Sequence, residues 1–168
     1  MGVETALSLA VVTVSDTRTE ETDKSGVVLV DCLQEAGHSL HSKQIVKDDV
    51  YQLRSAVSQL IADPAVQGIL MTGGTGFTAR DNTLKAIQPL LDDAIEGFGE
   101  LFRQLSYDEI GTSTIQSRAF AGLANHTIVF CVPGSPGACQ TAWHKIIAEQ
   151  LDSAHKPCNF VDKLQHNS

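Results

Sequence analysis

Three nearly continuous apolar runs constrain this chain more than any other feature of its sequence. They read ALSLAVVTVSD from Ala6, VQGILMT from Val66 and TIVFCVPG from Thr127. A strand that is apolar on both faces has to be covered on both faces, which is typical of a parallel sheet. A fourth strand, less buried, is expected in HSLHSKQIV from His38.

Apolar residues at a spacing of three and four predict helices between these runs. The stripes lie at 29–36, 53–61, 98–105 and 139–147, and a short helix is expected from about Thr83. Strands that alternate with helices indicate βα units and a mostly parallel sheet with helices on both faces. The chain has 168 residues and contains no linker or repeat, so we expect one α/β domain over residues 1–168.

The composition argues against some classes of partner. A net charge of -8 disfavours nucleic acid and anionic membranes as main partners. The sequence shows neither a signal peptide nor an apolar stretch of the ~20 residues that a membrane helix needs, which favours a cytoplasmic protein. The four cysteines form no CxxC pair, and Cys32 and Cys131 lie in apolar runs, so we expect reduced core residues there.

The carboxyl ends of the apolar runs carry small polar residues and glycine. These ends are TVSD at 13–16, TGGTG at 72–76 and VPGSPG at 132–137. In a parallel sheet, ligands bind outside the carboxyl ends of the strands, so we expect the three segments to meet in one pocket. Glycine lets the backbone approach a phosphate closely, but it also builds plain turns. Taken alone, TGGTG leaves a turn and an anion site equally open.

Two acidic residues lie near the same predicted edge of the sheet. Asp48 follows the second strand, and Asp81 follows the glycine segment. Each is a candidate helix N-cap, which is a common role for aspartate. Together they are also candidates for binding Mg²⁺, which prefers one or two carboxylates plus phosphate oxygens. Both interpretations stay open on spacing alone.

The histidines and the tail are expected on the surface. No histidine is paired with a nucleophile motif, and no GxSxG elbow is present. The polar tail from Asp152 is interrupted only by NFV. The histidines are His38, His41, His126, His144, His155 and His166.

Five segments, taken in order, resemble the MogA/MoaB family of molybdenum-cofactor biosynthesis proteins. They are TVSDTR…DKSG, TGGTGFTARD, FGELFRQLS, GTSTIQSRAFAG and VPGSPGA, and they extend over about residues 8 to 151. The segment EIGTSTIQSRA and the tail KPCNF are more similar to the bacterial MoaB branch. The resemblance implies a three-layer α/β sandwich that assembles as a trimer or a hexamer.

The resemblance also implies a reaction and a set of site residues. In the family, a terminal phosphate of molybdopterin attacks the α-phosphate of ATP with Mg²⁺ present, and adenylylated molybdopterin and pyrophosphate result. Asp48 and Asp81 match two essential acidic residues, which implies catalytic and metal-binding roles. The residues that match substrate-binding positions are Ser15, Gly73, Gly74, Thr75, Gly76, Ser106, Ser117 and Ser135.

Two functions stay open on this basis. The first is Mg²⁺-dependent adenylylation of molybdopterin, which the presence of both Asp48 and Asp81 favours. The second is a MoaB-type oligomer that binds molybdopterin or its adenylylated form without catalysis. A nicotinamide dehydrogenase is disfavoured, because Gly74-Thr75-Gly76 does not continue as GxGxxG.

Overall fold

The computed structural model of the chain describes residues 2–164, and a six-stranded sheet runs through its centre. The strands are β1 (Ser8–Val14), β2 (Ser39–Val46), β3 (Gly68–Thr72), β4 (Asp93–Ala94), β5 (Phe120–Ala124) and β6 (Thr127–Val132). They lie in the order β2-β1-β3-β6-β5-β4. Strands β2, β1, β3 and β6 are parallel, whereas β5 is antiparallel to β6 and β4 is antiparallel to β5. The predicted mostly parallel sheet is confirmed.

Helices occupy the stretches where the apolar stripes predict them. They are α1 (Lys24–Glu35), α2 (Val50–Ala62), α3 (Thr83–Ile87), α4 (Glu96–Ile110), α5 (Pro136–Ala142) and α6 (Ala148–Gln150). A π-helical turn at Trp143–Ile147 joins α5 to α6, so the last predicted helix is continuous but locally widened. Short 3₁₀ turns lie at Gln88–Leu90, Gly111–Gln116 and Val161–Lys163.

The sheet separates two apolar cores. Leu9 and Val11 of β1 pack into the core that includes α1, α4 and α5, whereas Ala10 and Val12 pack into the core that includes α2 and α3. Successive side chains of a strand point to opposite faces, so an uninterrupted apolar run fills both cores at once. This arrangement confirms the three-layer α/β sandwich.

The three central strands end at the same level. Thr13 of β1 pairs with Thr72 of β3, and Thr72 pairs with Val132 of β6. The polypeptide therefore leaves all three strands along one edge of the sheet, where the three predicted ligand-binding segments begin.

The antiparallel edge is absent from the sequence prediction. Strand β5 reads FAGLA and lacks the β-branched residues that favour strands. Asn125 and His126 connect it to β6 with φ angles of 50° and 61°. Two successive residues in the left-handed region are typical of a two-residue hairpin turn. The hairpin places β5 against β6 despite the weak strand propensity of its sequence.

Two surface predictions fail at particular residues, one histidine and two residues of the tail. His38 is only 5% exposed, because its Nδ1 accepts a hydrogen bond from the N–H of Leu7 at 3.0 Å, which draws the ring inward. Burial lowers the pKa of His38. In the tail, Val161 and Leu164 are buried in the core that contains α1, because burying their apolar side chains is favourable. The prediction for His166 lies outside the described residues.

Three of the four cysteines are core residues. Cys32, Cys131 and Cys139 are buried free thiols, as predicted for the first two, and Cys158 is exposed. Burial raises the pKa of Cys32 to about 11, and the nearby carboxylates add to the effect. Within residues 2–164, no helix has both the length and the apolar character to cross a membrane.

Candidate functional site

A cavity of about 540 Å³ opens at the carboxyl edge of β1, β3 and β6. Its wall is formed by the three strand-end segments, by α4 and by the 3₁₀ turn that follows α4. Nine of the ten predicted site residues line it: Ser15, Asp48, Gly73, Gly74, Thr75, Gly76, Asp81, Ser106 and Ser117. The exception is Ser135, which is exposed and caps α5 by accepting the Ala138 N–H at 3.1 Å.

Residues 73–76, the glycine loop, need glycine for two separate reasons. Gly73 and Gly74 have φ angles of 103° and 71°, in the region that other residues rarely adopt. A Cβ on Gly73 would also collide with the carbonyl oxygen of Val14, and one on Gly74 would collide with Oγ1 of Thr83. The loop is therefore packed closely against the end of β1 and the start of α3.

All four carbonyl oxygens of the glycine loop are held by the scaffold. Thr83 donates to the first two, from Oγ1 at 2.8 Å and from its N–H at 3.1 Å. Arg118 donates to the last two, from its N–H at 2.9 Å and from Nε at 3.0 Å. In contrast, the N–H groups of Gly74 and Thr75 donate to no acceptor within residues 2–164. The loop thus presents donors to the cavity, which is the arrangement of a backbone anion site.

Asp48 is a buried carboxylate with few donors. It is 6% exposed, and its Oδ1 accepts the N–H of Asn82 at 2.9 Å. Burial raises the pKa of Asp48; the Asn82 hydrogen bond offsets this only in part, and the charges of Asp81 and Asp16 raise it further. A cation beside Asp48 would relieve both effects.

Asp81 has a different environment. Its Oδ2 accepts hydrogen bonds from Thr78, at 3.0 Å from the N–H and 2.6 Å from Oγ1. Partial burial acts to raise the pKa of Asp81, but these hydrogen bonds outweigh it and hold the pKa below the usual value. Asp81 is therefore held as a carboxylate at the rim of the glycine loop.

The helix-cap alternative is wrong for both carboxylates. The residue that caps α2 is Asp49, whose Oδ1 accepts the N–H groups of Tyr51 and Gln52 at 3.0 and 2.9 Å. Helix α3 begins after Asn82, and Asp81 closes the preceding turn instead. Neither Asp48 nor Asp81 is thus explained by helix capping.

The two carboxylates fit a divalent cation that is bound together with a phosphate. A Cβ on Gly74 would lie 3.1 Å from Oδ2 of Asp48, and one on Gly76 would lie 2.8 Å from Oδ2 of Asp81, so glycine keeps space beside both oxygens. Among residues 2–164, no group of three or more His, Cys, Asp or Glu side chains is arranged to hold a metal ion. Mg²⁺ binds one or two carboxylates and completes its shell with phosphate oxygens and water, which matches this donor set.

Residues 10–153 match the family described as "Probable molybdopterin binding domain". The chain belongs to the MogA/MoaB family. Molybdenum cofactor biosynthesis protein B of Escherichia coli K12 is 55% identical over 157 residues, which cover 94% of this chain and 92% of that protein.

Two solved MoaB structures share the fold. A crystal structure of molybdenum cofactor biosynthesis protein B has a TM-score of 0.85 and 48% identity, and covers 88% of this chain and 92% of that one. The tungsten cofactor synthesizing protein MoaB from Pyrococcus furiosus has a TM-score of 0.77 and 35% identity, with 86% and 92% of the two chains covered. These similarities place the chain in the MoaB branch.

Sequence reasoning missed Arg118 as a site residue of this MogA/MoaB chain. Its guanidinium lies 4.5 Å from the ring centroid of Phe77 and reaches the carbonyl oxygens of Gly76 and Asp81. Arg118 thus fixes the shape of the glycine loop without lining the cavity. The available signal was a lone arginine in a segment of small and polar residues, GTSTIQSRAFAG.

Asp16 was also missed, although it belongs to the predicted TVSD segment. Its Oδ2 accepts Nε of Arg80 at 2.8 Å, and its Oδ1 accepts the N–H of Asp48 at 3.2 Å. The hydrogen bond and charge of Arg80 lower the pKa of Asp16, against the opposing effect of burial. In this MoaB-type cavity, Asp16 links the end of β1 to both the Asp48 backbone and the loop that carries Asp81.

Proposed function

We propose that this chain adenylylates molybdopterin with ATP in a Mg²⁺-dependent reaction that releases pyrophosphate. One observation carries the proposal: free amides in the glycine loop and the carboxylates Asp48 and Asp81 line the same cavity. Donors for phosphate beside ligands for a cation suit a reaction between two phosphates, and membership of a molybdopterin-binding family supports molybdopterin as one of the two substrates.

The chain's own groups contribute mainly by stabilising the negative charge of the reacting phosphates. Attack of one phosphate on another has to overcome repulsion between anions. The N–H groups of Gly74 and Thr75 donate to phosphate oxygens, and they need no reorganisation because the loop carbonyls are already held. Asp48 and Asp81 would hold Mg²⁺ here, and the ion would supply positive charge to offset the negative charge that grows on the transferred group.

Positioning provides the rest of the acceleration. The hydroxyl groups of Ser15, Ser106 and Ser117 line the cavity and orient the molybdopterin phosphate and its neighbouring groups. Correct placement of two reactants can supply ~7–11 kcal/mol of a barrier. The attacking phosphate is already an anion, so no histidine base is required. A substrate contact by Ser135 stays a prediction, since its hydroxyl lies outside the cavity lining.

The test is product formation by the purified protein with molybdopterin, ATP and Mg²⁺. We expect adenylylated molybdopterin and pyrophosphate from the wild type, and a rate at least about 100-fold lower for Asp48→Asn and for Asp81→Asn. Asp49→Asn is a matched control, because it makes the same chemical change one residue away and asparagine caps a helix as well as aspartate. A wild type that binds molybdopterin and makes no product would instead support the non-catalytic binding function.

We further propose that the chain assembles as a trimer or a hexamer, as the family resemblance implies. Tyr107, Ile110 and Ile115 support this assembly, since α4 and the turn after it leave these large apolar side chains exposed. Sedimentation velocity measures the assembly directly, and a monomer at micromolar concentration would contradict the proposal.

A further inference from the structure

An ion pair joins two segments of the cavity wall that lie 64 residues apart in the sequence. Arg80, in the turn after the glycine loop, donates from Nε to Oδ2 of Asp16 at 2.8 Å. Both residues line the cavity, and their side chains are 67% and 32% exposed. Exposed ion pairs contribute little to stability, so this pair can exchange partners readily.

The charge balance of the cavity wall makes Arg80 exceptional. Asp16, Asp48 and Asp81 all line the cavity, and Arg80 is the one lysine, arginine or histidine among its described lining residues. A polyphosphate that enters this cavity meets three carboxylates and a single cationic side chain. The planar guanidinium of arginine suits two-point contact with phosphate oxygens.

Asp16 has a second bond that does not depend on Arg80. Its Oδ1 accepts the N–H of Asp48 at 3.2 Å. If Arg80 leaves, Asp16 still holds the backbone of Asp48 in place. The ion pair can therefore open without releasing the carboxylate proposed to act in catalysis.

We propose that Arg80 is a specificity-determining residue that exchanges its Asp16 partner for the polyphosphate of the nucleotide. This inference rests on the proposed function. In the free protein Asp16 holds Arg80 at the cavity wall, and in the nucleotide complex Arg80 contacts phosphate oxygens. Asp16 and the nucleotide then compete for the same guanidinium.

This competition predicts that substitutions of the two members of the ion pair change the affinity for ATP in opposite directions. Arg80→Ala removes a charged phosphate contact and weakens ATP binding about tenfold. Asp16→Asn releases Arg80, keeps an oxygen that accepts the Asp48 N–H, and tightens ATP binding about twofold to fivefold. A purely structural ion pair would weaken ATP binding in both variants.

The experiment is calorimetric titration of the folded full-length protein with ATP and Mg²⁺. A double variant that combines Asp16→Asn with Arg80→Ala separates the release of Arg80 from a general loss of negative charge. If the gain in ATP affinity from Asp16→Asn acts through Arg80, it disappears in this double variant. Adenosine, which lacks phosphate, binds alike to all variants. Asp162→Asn and Lys145→Ala make the same charge changes at exposed positions outside the cavity and leave ATP binding unchanged.

Two results would overturn the inference in distinguishable ways. Weaker ATP binding by Asp16→Asn, or a gain that persists without Arg80, overturns the exchange of partners alone. Failure of the wild type to bind ATP overturns the proposed function and the exchange together. Arg80→Lys keeps the charge without the planar fork, and its affinity is expected between those of the wild type and Arg80→Ala.

Discussion

Two buried aspartates near the carboxyl edge of the sheet have pKa values that are shifted in opposite directions. Asp23 and Asp48 are 3% and 6% exposed. The Asp23 carboxylate accepts hydrogen bonds from Thr13 Oγ1 at 2.6 Å, from Lys43 Nζ at 3.0 Å and from the N–H of Gly26 at 2.9 Å. Burial acts to raise the pKa of Asp23, but these partners outweigh it and lower the pKa. For Asp48, burial prevails and the pKa is raised.

This difference distinguishes a structural carboxylate from one that is available to bind a ligand. The charge of Asp23 is balanced within the fold, by a lysine and by the first turn of α1. The charge of Asp48 is opposed within the fold, by burial and by the carboxylates of Asp81 and Asp16. A carboxylate in a cavity whose pKa is raised is a candidate functional group, whereas an equally buried carboxylate that is fully paired is better explained by a structural role.

The largest expected effect on stability is that of Asp23→Ala. This change leaves Lys43 without its buried partner and removes the N-cap of α1, so the free energy of unfolding should fall by about 2–4 kcal/mol. Urea denaturation measures the loss. Asp31→Ala, on the exposed face of the same helix, should change stability by less than about 0.5 kcal/mol. Equal losses in the two variants would remove the distinction drawn for Asp23.

A smaller effect is expected at the glycine loop. Gly74→Ala forces a side chain into the left-handed region, against Thr83 and towards Asp48, and should cost about 1–3 kcal/mol of stability and abolish ATP binding. Thermal denaturation and titration with ATP measure the two losses. Gly137→Ala is the control, because nothing lies within 4 Å of the added Cβ and φ is not positive. If Gly74→Ala binds ATP normally, the loop is only a turn.

The smallest effect is a difference in pH dependence. The lowered pKa of Asp23 means that its stabilisation is complete above the unfolded-state pKa of about 3.9 and is lost as pH falls through the folded-state value. The raised pKa of Asp48 means that its ionised form is penalised in the folded state. Asp48→Asn should therefore be more stable than the wild type at pH 7, and the two should converge as pH falls towards 4.

Unfolding at a series of pH values tests both signs with one pair of variants. Asp23→Asn should be less stable than the wild type at pH 7, and its deficit should shrink only below about pH 4. A loss of stability in Asp48→Asn at neutral pH would show that Asp48 is balanced within the fold like Asp23.

The sequence predicts most of the sheet, because apolar runs such as the one from Val66 report burial on both faces. It also predicts which strand ends carry the cavity, since β1, β3 and β6 finish in small residues that leave space for a ligand. Strand β5 escaped prediction because a hairpin, rather than its own composition, fixes it in the sheet.

The site residues that escaped prediction depend on distant contacts. Arg118 reaches Gly76 across 42 positions and Arg80 reaches Asp16 across 64, and no local pattern reports such a pairing. The cap alternative for Asp48 depended on where α2 begins. A shift of one residue gave that role to Asp49, and helix boundaries are hard to read from a sequence at that precision.

The fixed carbonyls of the glycine loop have a consequence for selectivity. When a peptide group flips, its carbonyl oxygen takes the direction that its N–H had before. A loop that is free to flip can therefore bind either an anion or a cation. Here Thr83 and Arg118 hold the oxygens, so the peptides cannot turn over without breaking those bonds. The loop can therefore offer a ligand only N–H donors and no carbonyl oxygens. Any cation in the cavity has to be bound by the carboxylates.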